Sequence, residues 1–245
     1  MRRIAFSVGT TFILILGVVP CGYAGDVKLL VPPSTFPLTI STPGSYRLKK
    51  NFTVPDASTT AIVVNTSNVT LDLNGYTVSG PTVCPGPPSP CAPAGSADGI
   101  VSGFSNVAIL NGTVQGFGSD GIALSQHSRV ERVRTSNNGG SGINVGEASV
   151  VTDNQTLYNG DGINAANGCT ITGNVSAYNL GVGIFAGGGS SVTGNTVQNN
   201  NGTYALSLSN ASAGYAGNVI GAVVNTVNGG TDLGHNLCNT STICP

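Results

Sequence analysis

Residues 160–179 read GDGINAANGCTITGNVSAYN. Ile163 and Ile171 are spaced as core residues, yet Gly and Asn fill positions where an ordinary strand carries bulk. The flanking sequence explains the conflict. Gly-Ile recurs at 99–100, 121–122, 142–143, 162–163 and 183–184, and Ala205-Leu206 continues the series. A second series runs Val130, Val151, Ile171, Val192. Asn154, Asn174 and Asn195 lie three residues after its last three members, and Asn138, Asn159, Asn179 and Asn200 lie eight residues after all four. Separate offsets that keep one period of about 21 residues define a structural repeat.

A period of this length, with short β-type stretches and no helical pattern, means stacked coils of parallel strands. Successive coils rise by about 4.8 Å, the spacing between strands of a sheet. Ile100, Ile122, Ile143, Ile163, Ile184 and Leu206 then form one core column. Strand alternation points Leu124, Val145, Ala165, Ala186 and Leu208 inward as well. It leaves Val101, Ala123, Asn144, Asn164, Phe185 and Ser207 as an outward row without a charge. Asn tolerates left-handed backbone at turns, and stacked Asn side chains bond one another. Gly is expected where the turn is sharpest. The predicted fold is all-β: a single-stranded, right-handed parallel β-helix, the hand following the rule for parallel crossovers.

Asp98-Gly99-Ile100, Asp120-Gly121-Ile122, Asp161-Gly162-Ile163 and the earlier VTLDLNG at residues 69–75 resemble the right-handed parallel β-helix proteins of the pectate-lyase-like superfamily, and among them the secreted bacterial β-helix-repeat proteins. The resemblance covers roughly residues 40–230. It implies the fold but not the activity, because that superfamily includes lyases, hydrolases, epimerases and binding proteins. In its lyases the corresponding broad face resembles one carrying calcium-binding acids and a basic catalytic residue. Here that outward row has no Arg or Lys. The Asn-Thr-Asp, Asp-Asp, Gly-His-Gly and Arg-Ile-Lys motifs of polygalacturonases are also missing.

Only 8% of the 245 residues are charged, and the net charge is −1. Nothing in that balance attracts nucleic acid. Arg2 and Arg3, the apolar run from Ile4 to Val19, and the small residues Gly22 and Ala24 read as a secretory signal peptide over residues 1–24. Cys21 raises lipidation as an alternative. The protein is therefore expected outside the cytoplasm, secreted, periplasmic or at the cell surface, with no membrane segment after cleavage. There, disulfides Cys84–Cys91 and Cys238–Cys244 are the simplest pairing, and Cys169 is a small buried residue. Residues 25–58 are expected to hold an N-terminal cap and the first strands. Residues 59–230 hold the β-helix with a Pro-rich disulfide loop at 81–96, and residues 231–245 a C-terminal disulfide cap.

Four groups are candidates for function. Asp98, Asp120 and Asp161 precede Gly at equivalent turns, where each caps its own turn, binds a cation such as calcium (Asp98 with Asp120), or serves as a catalytic acid. Tyr158 and Tyr178 are one coil apart; they read as a packing stack or, beside Asn144, Asn164 and Phe185, as a sugar-binding platform. In the basic segment from His127 to Arg134, Arg132 aligns with Asp153 for an ion pair. Alternatively Arg129 and Arg134 recognise acidic polysaccharide, with His127 a candidate base. Thr152, Thr172 and Thr193 form one short outward row. The first functional reading is a non-catalytic module binding glycan or another surface partner, or serving a structural role. The alternative is a lyase, hydrolase or epimerase acting on acidic polysaccharide, with calcium as the cofactor to test. Oligomeric state is not encoded in these patterns.

Overall fold

The computed structural model describes residues 26–222 and 225–244; the expected signal peptide and Cys21 lie outside the described residues. Among the described residues there is no helix, and 26 short strands wind into a parallel β-solenoid of about ten turns. Each coil has three faces. The first face is a nine-stranded sheet that contains Ile100–Ser102, Ile122–Leu124, Ser141–Val145, Asp161–Ala165 and Ile184–Ala186. The second and third faces belong to one 17-stranded sheet, because Val107–Gln115 and Arg129–Ser136 run continuously from one face to the next. Further along, the second face carries Val150–Thr152, Thr170–Thr172 and Ser191–Thr193, and the third carries Gln155–Leu157, Val175–Ala177 and Thr196–Asn200.

The repeat places the core where the spacing predicts. Ile100, Ile122, Ile143, Ile163, Ile184 and Leu206 stand in direct parallel register and are fully buried. Val130, Val151, Ile171 and Val192 pack against them from the second face. The solenoid begins before the visible repeat. Lys28–Leu30 already pairs with Gly44–Leu48, and Leu38–Ile40 with Ile62–Val64. It also continues late: Thr231–Asp232 and Leu237–Cys238 pair with the preceding coil. Both expected disulfides, Cys84–Cys91 and Cys238–Cys244, are formed.

The corners explain the polar residues. Three columns of left-handed residues run along the solenoid. The first is Asn106, His127, Ala148, Gly168 and Gly189; the second is Asn111, Arg132, Asp153, Gly173, Gly194 and Gly217; the third is Gly116, Asn137, Tyr158, Tyr178 and Asn199. A buried side-chain ladder follows each corner. After the second, Asn154, Asn174, Asn195, Asn218 and Asn236 stack, each main-chain N–H and Nδ2 donating to Oδ1 of the next Asn at 2.9–3.1 Å. After the third, Asn138, Asn159, Asn179 and Asn200 repeat the pattern. After the first corner the column is Ser128, Ser149, Cys169, Ser190, with Ser128 N–H donating to Ser149 Oγ and Cys169 N–H to Ser190 Oγ, both at 3.0 Å. Cys169 is buried in the hydrophobic core as expected, and it also joins this column: Sγ lies 3.3 Å from the Gly146 carbonyl, to which it donates.

The Gly of each Gly-Ile pair has a different cause from the one expected. Gly121, Gly142, Gly162 and Gly183 are not in the left-handed region. A Cβ at Gly162 would instead collide with Ser176 Oγ and the Gly183 carbonyl, and one at Gly121 would meet Asn138 Nδ2. Close approach of the first face to the third-corner ladder is what demands Gly there.

Candidate functional site

The Asp row is built into the backbone. Asp98 Oδ1 accepts the Asp120 N–H at 2.9 Å, Asp120 Oδ1 the Ser141 N–H at 2.6 Å, and Asp161 Oδ1 the Val182 N–H at 2.7 Å. Each carboxylate therefore staples its coil to the next, rather than capping its own turn. Asp120 Oδ2 also accepts Asn144 Nδ2 at 2.8 Å. Burial pushes the Asp120 carboxyl up from its ordinary value; the bonds from Asn144 and Ser141 oppose this, and the charges of Asp98 and Asp161 add to it. As a calcium site the pair fits poorly. Both Asp120 oxygens already take N–H donors, and among the described residues no three His, Cys, Asp or Glu side chains gather as metal ligands.

The basic segment divides between faces. Arg129 points out from the second face, with Nη1 3.4 Å from Glu131 Oε2. His127 is an exposed left-handed corner residue, and no hydrogen bond reaches its ring among the described residues. The expected Arg132–Asp153 ion pair is not formed. Both residues occupy the second corner, but Arg132 pairs through Nη1 with its neighbour Glu131 and donates from Nε to Asn111 Oδ1 at 2.9 Å. Left-handed backbone turns the two side chains along the corner, where Glu131 and Asn111 are nearer. Arg134 lies on the third face and donates from Nε to Gln155 Oε1 at 2.8 Å. A groove of about 400 Å³ opens beside Arg132 and Arg134, with Gly75 and Gly112 on its wall.

The tyrosines make the third-corner feature. Tyr158 and Tyr178 stack with ring centroids 5.4 Å apart and planes 13° apart. Both are left-handed, at φ 56° and 57°, where the same column elsewhere uses Gly116, Asn137 and Asn199. Gly and Asn visit this region readily; a bulky side chain held there costs about 1–3 kcal/mol. Tyr178 is 43% exposed. The disulfide loop closes over the other end of the stack. Cys84 N–H donates to Asn137 Oδ1 at 2.9 Å, and Gly86 packs so closely on the Tyr158 ring that a Cβ would lie 3.2 Å from it. The loop therefore walls the tyrosine corner. Asn144, Asn164 and Phe185 are half-buried in the outward row of the first face, and residues 159–163 separate Tyr158 from Asn164.

No family model and no curated protein matches the chain. Among solved structures, the Dettilon tailspike protein aligns at 14% identity and TM-score 0.34, covering 86% of this chain and 55% of that one. This chain thus spans about half the tailspike's length. The mannuronan C-5 epimerase A-module of Azotobacter vinelandii aligns at 14% identity and TM-score 0.43, covering 86% of this chain and 80% of that one. At these scores neither alignment carries an argument about function, and the solenoid assignment rests on the strand pairings described above.

Proposed function

We propose that the protein is a secreted or cell-surface glycan-binding solenoid without catalytic activity, and that its sugar site is the tyrosine corner. The carrying observation is the stacked Tyr158–Tyr178 pair, held in a backbone conformation that Gly or Asn would adopt at lower cost, with one ring exposed. Backbone strain of this kind clusters at ligand sites, and here it holds an exposed ring in place. Aromatic faces cover the apolar faces of sugars, and amides such as Asn199 and Gln155 offer donors and acceptors for hydroxyls. The disulfide loop forms one wall of the site and Tyr178 its open floor. Asp98, Asp120 and Asp161 belong to coil stapling in this reading, which leaves no free acid pair within that row for lyase, hydrolase or epimerase chemistry. Two disulfides among the described residues agree with an oxidising compartment. A screen of neutral and acidic polysaccharides, reading binding together with release of reducing ends and unsaturated uronates, tests the proposal. Binding without turnover is expected; turnover abolished by Asp120→Asn would replace the binding reading with an enzymatic one.

A further inference from the structure

The groove lies along the second corner and the start of the third face, across that face from the tyrosine corner, and its lining is specific. Its residues come from four successive coils, those of Gly75, of Thr113, of Arg132 and Arg134, and of Asp153 and Gln155. It therefore runs along the solenoid axis for about 14 Å, three strand spacings. Each strand spacing is close to the length of one sugar unit in an extended polymer. Gln155 begins the strand Gln155–Leu157, and Tyr158 follows it, so groove and stack lie at the two ends of one short strand.

The charges in the groove are unequal in availability. Arg132 is bound to Glu131 and to Asn111. Arg134 has no carboxylate partner among the described residues; its Nε is held by the neutral amide of Gln155, which restrains the guanidinium at the groove's edge. A fixed fork of this kind matches the two oxygens of a carboxylate or sulfate. The wall also holds Asp153 and Thr113, whose side-chain oxygens accept hydroxyl protons. A ligand with many hydroxyls and spaced acidic groups satisfies both.

Resting on the glycan-binding reading above, we propose that the groove makes the site selective for an acidic polysaccharide, with Arg134 pairing its carboxylate or sulfate while a sugar further along the same chain, two coils on, stacks on Tyr178. The experiment is calorimetric titration of the purified protein with a polyuronate, a sulfated polysaccharide and a neutral polymer, at low and high salt. The acidic polymers are expected to bind about tenfold tighter than the neutral one at low salt, a preference that Arg134→Gln removes. Lys50→Gln, which deletes an exposed cation elsewhere, is expected to keep the preference. Tyr178→Asn is expected to weaken acidic and neutral ligands alike. Circular dichroism melts confirm that each variant is folded. The comparison of polyuronate with sulfated polymer identifies which acid Arg134 takes. Equal affinity for acidic and neutral polymers, or a preference that survives Arg134→Gln, overturns the inference and leaves the tyrosine site standing. Absence of binding in every arm overturns both.

Discussion

Replacing Asn174 with Ala should be among the most damaging single changes in the protein, although it removes only a side-chain amide. Asn174 Oδ1 accepts both the main-chain N–H and the Nδ2 of Asn154, at 2.9 and 3.0 Å. Its Nδ2 donates to the Val151 carbonyl at 2.9 Å and to Asn195 Oδ1 at 3.0 Å. The residue is 1% exposed, so water cannot substitute. Truncation orphans two buried donors on Asn154, at about 1–3 kcal/mol each, before any cavity cost. A loss of about 4 kcal/mol lowers Tm by about 10 °C in a chain of this size. The assay is a thermal melt by circular dichroism, paired with Asn164→Ala. Asn164 is half-buried in the outward row and outside either ladder, so its truncation should move Tm by no more than about 2 °C. Similar small shifts in the two variants would refute the idea that the amide ladder, rather than apolar stacking alone, holds the coils in register.

Other perturbations follow from the same structure. Thr156 Oγ1 is buried without a hydrogen-bond partner, so Thr156→Val should raise stability by about 1 kcal/mol in a chemical melt, and a lower midpoint would contradict that. Asp120 titrates above its ordinary value when folded, so the folded state holds its proton more tightly than the unfolded state does. Its contribution to stability therefore falls as pH rises from the ordinary carboxylate value to the raised one, and Asp120→Asn should flatten that segment of the Tm-versus-pH curve. Removing the loop bridge in Cys84→Ser/Cys91→Ser should weaken glycan binding by a larger factor than expected from its change in Tm, because the loop walls Tyr158; a large fall in Tm with intact binding would show that the bridge serves stability alone.

The periodic part of the fold was legible because one residue type recurs at one offset for one reason. The Ile column needs apolar bulk on the first face, and each Asn ladder needs the same amide in every coil. The earliest coils were harder to read: Lys28–Leu30 and Leu38–Ile40 pair in register without the Gly-Ile and Asn marks, since Tyr46, Leu48 and Phe52 fill the core there. Side-chain direction at corners was not legible. Arg132 and Asp153 share an offset, which places their backbones together, but left-handed geometry sends Arg132 to Glu131 and Asn111. The role of Gly121, Gly142, Gly162 and Gly183 also needed coordinates, because contact between a first-face Gly and a third-corner Asn leaves no local pattern. The loop's seat on Tyr158 is a long-range contact, and only its Pro content and the cysteine pair at its neck marked it as ordered. Left-handed tyrosines had a usable signal after all: Tyr158 and Tyr178 stand in a column otherwise filled by Gly and Asn, immediately before ladder residues Asn159 and Asn179.

The most direct test of a sugar site at the tyrosine corner is a titration of intrinsic fluorescence with polysaccharides, comparing the native protein with Tyr178→Asn. With no Trp in the chain, emission comes from Tyr alone, and the difference between the two proteins isolates the Tyr178 contribution. Asn relieves the left-handed cost of about 1 kcal/mol while losing a ring contact of similar size, so Tm should stay within a few degrees. The account predicts saturable quenching by a glycan in the native protein and at least a tenfold weaker response in the folded variant, tenfold being about 1.4 kcal/mol. Identical titrations for the two proteins, or no response from the native protein to any glycan, would contradict it.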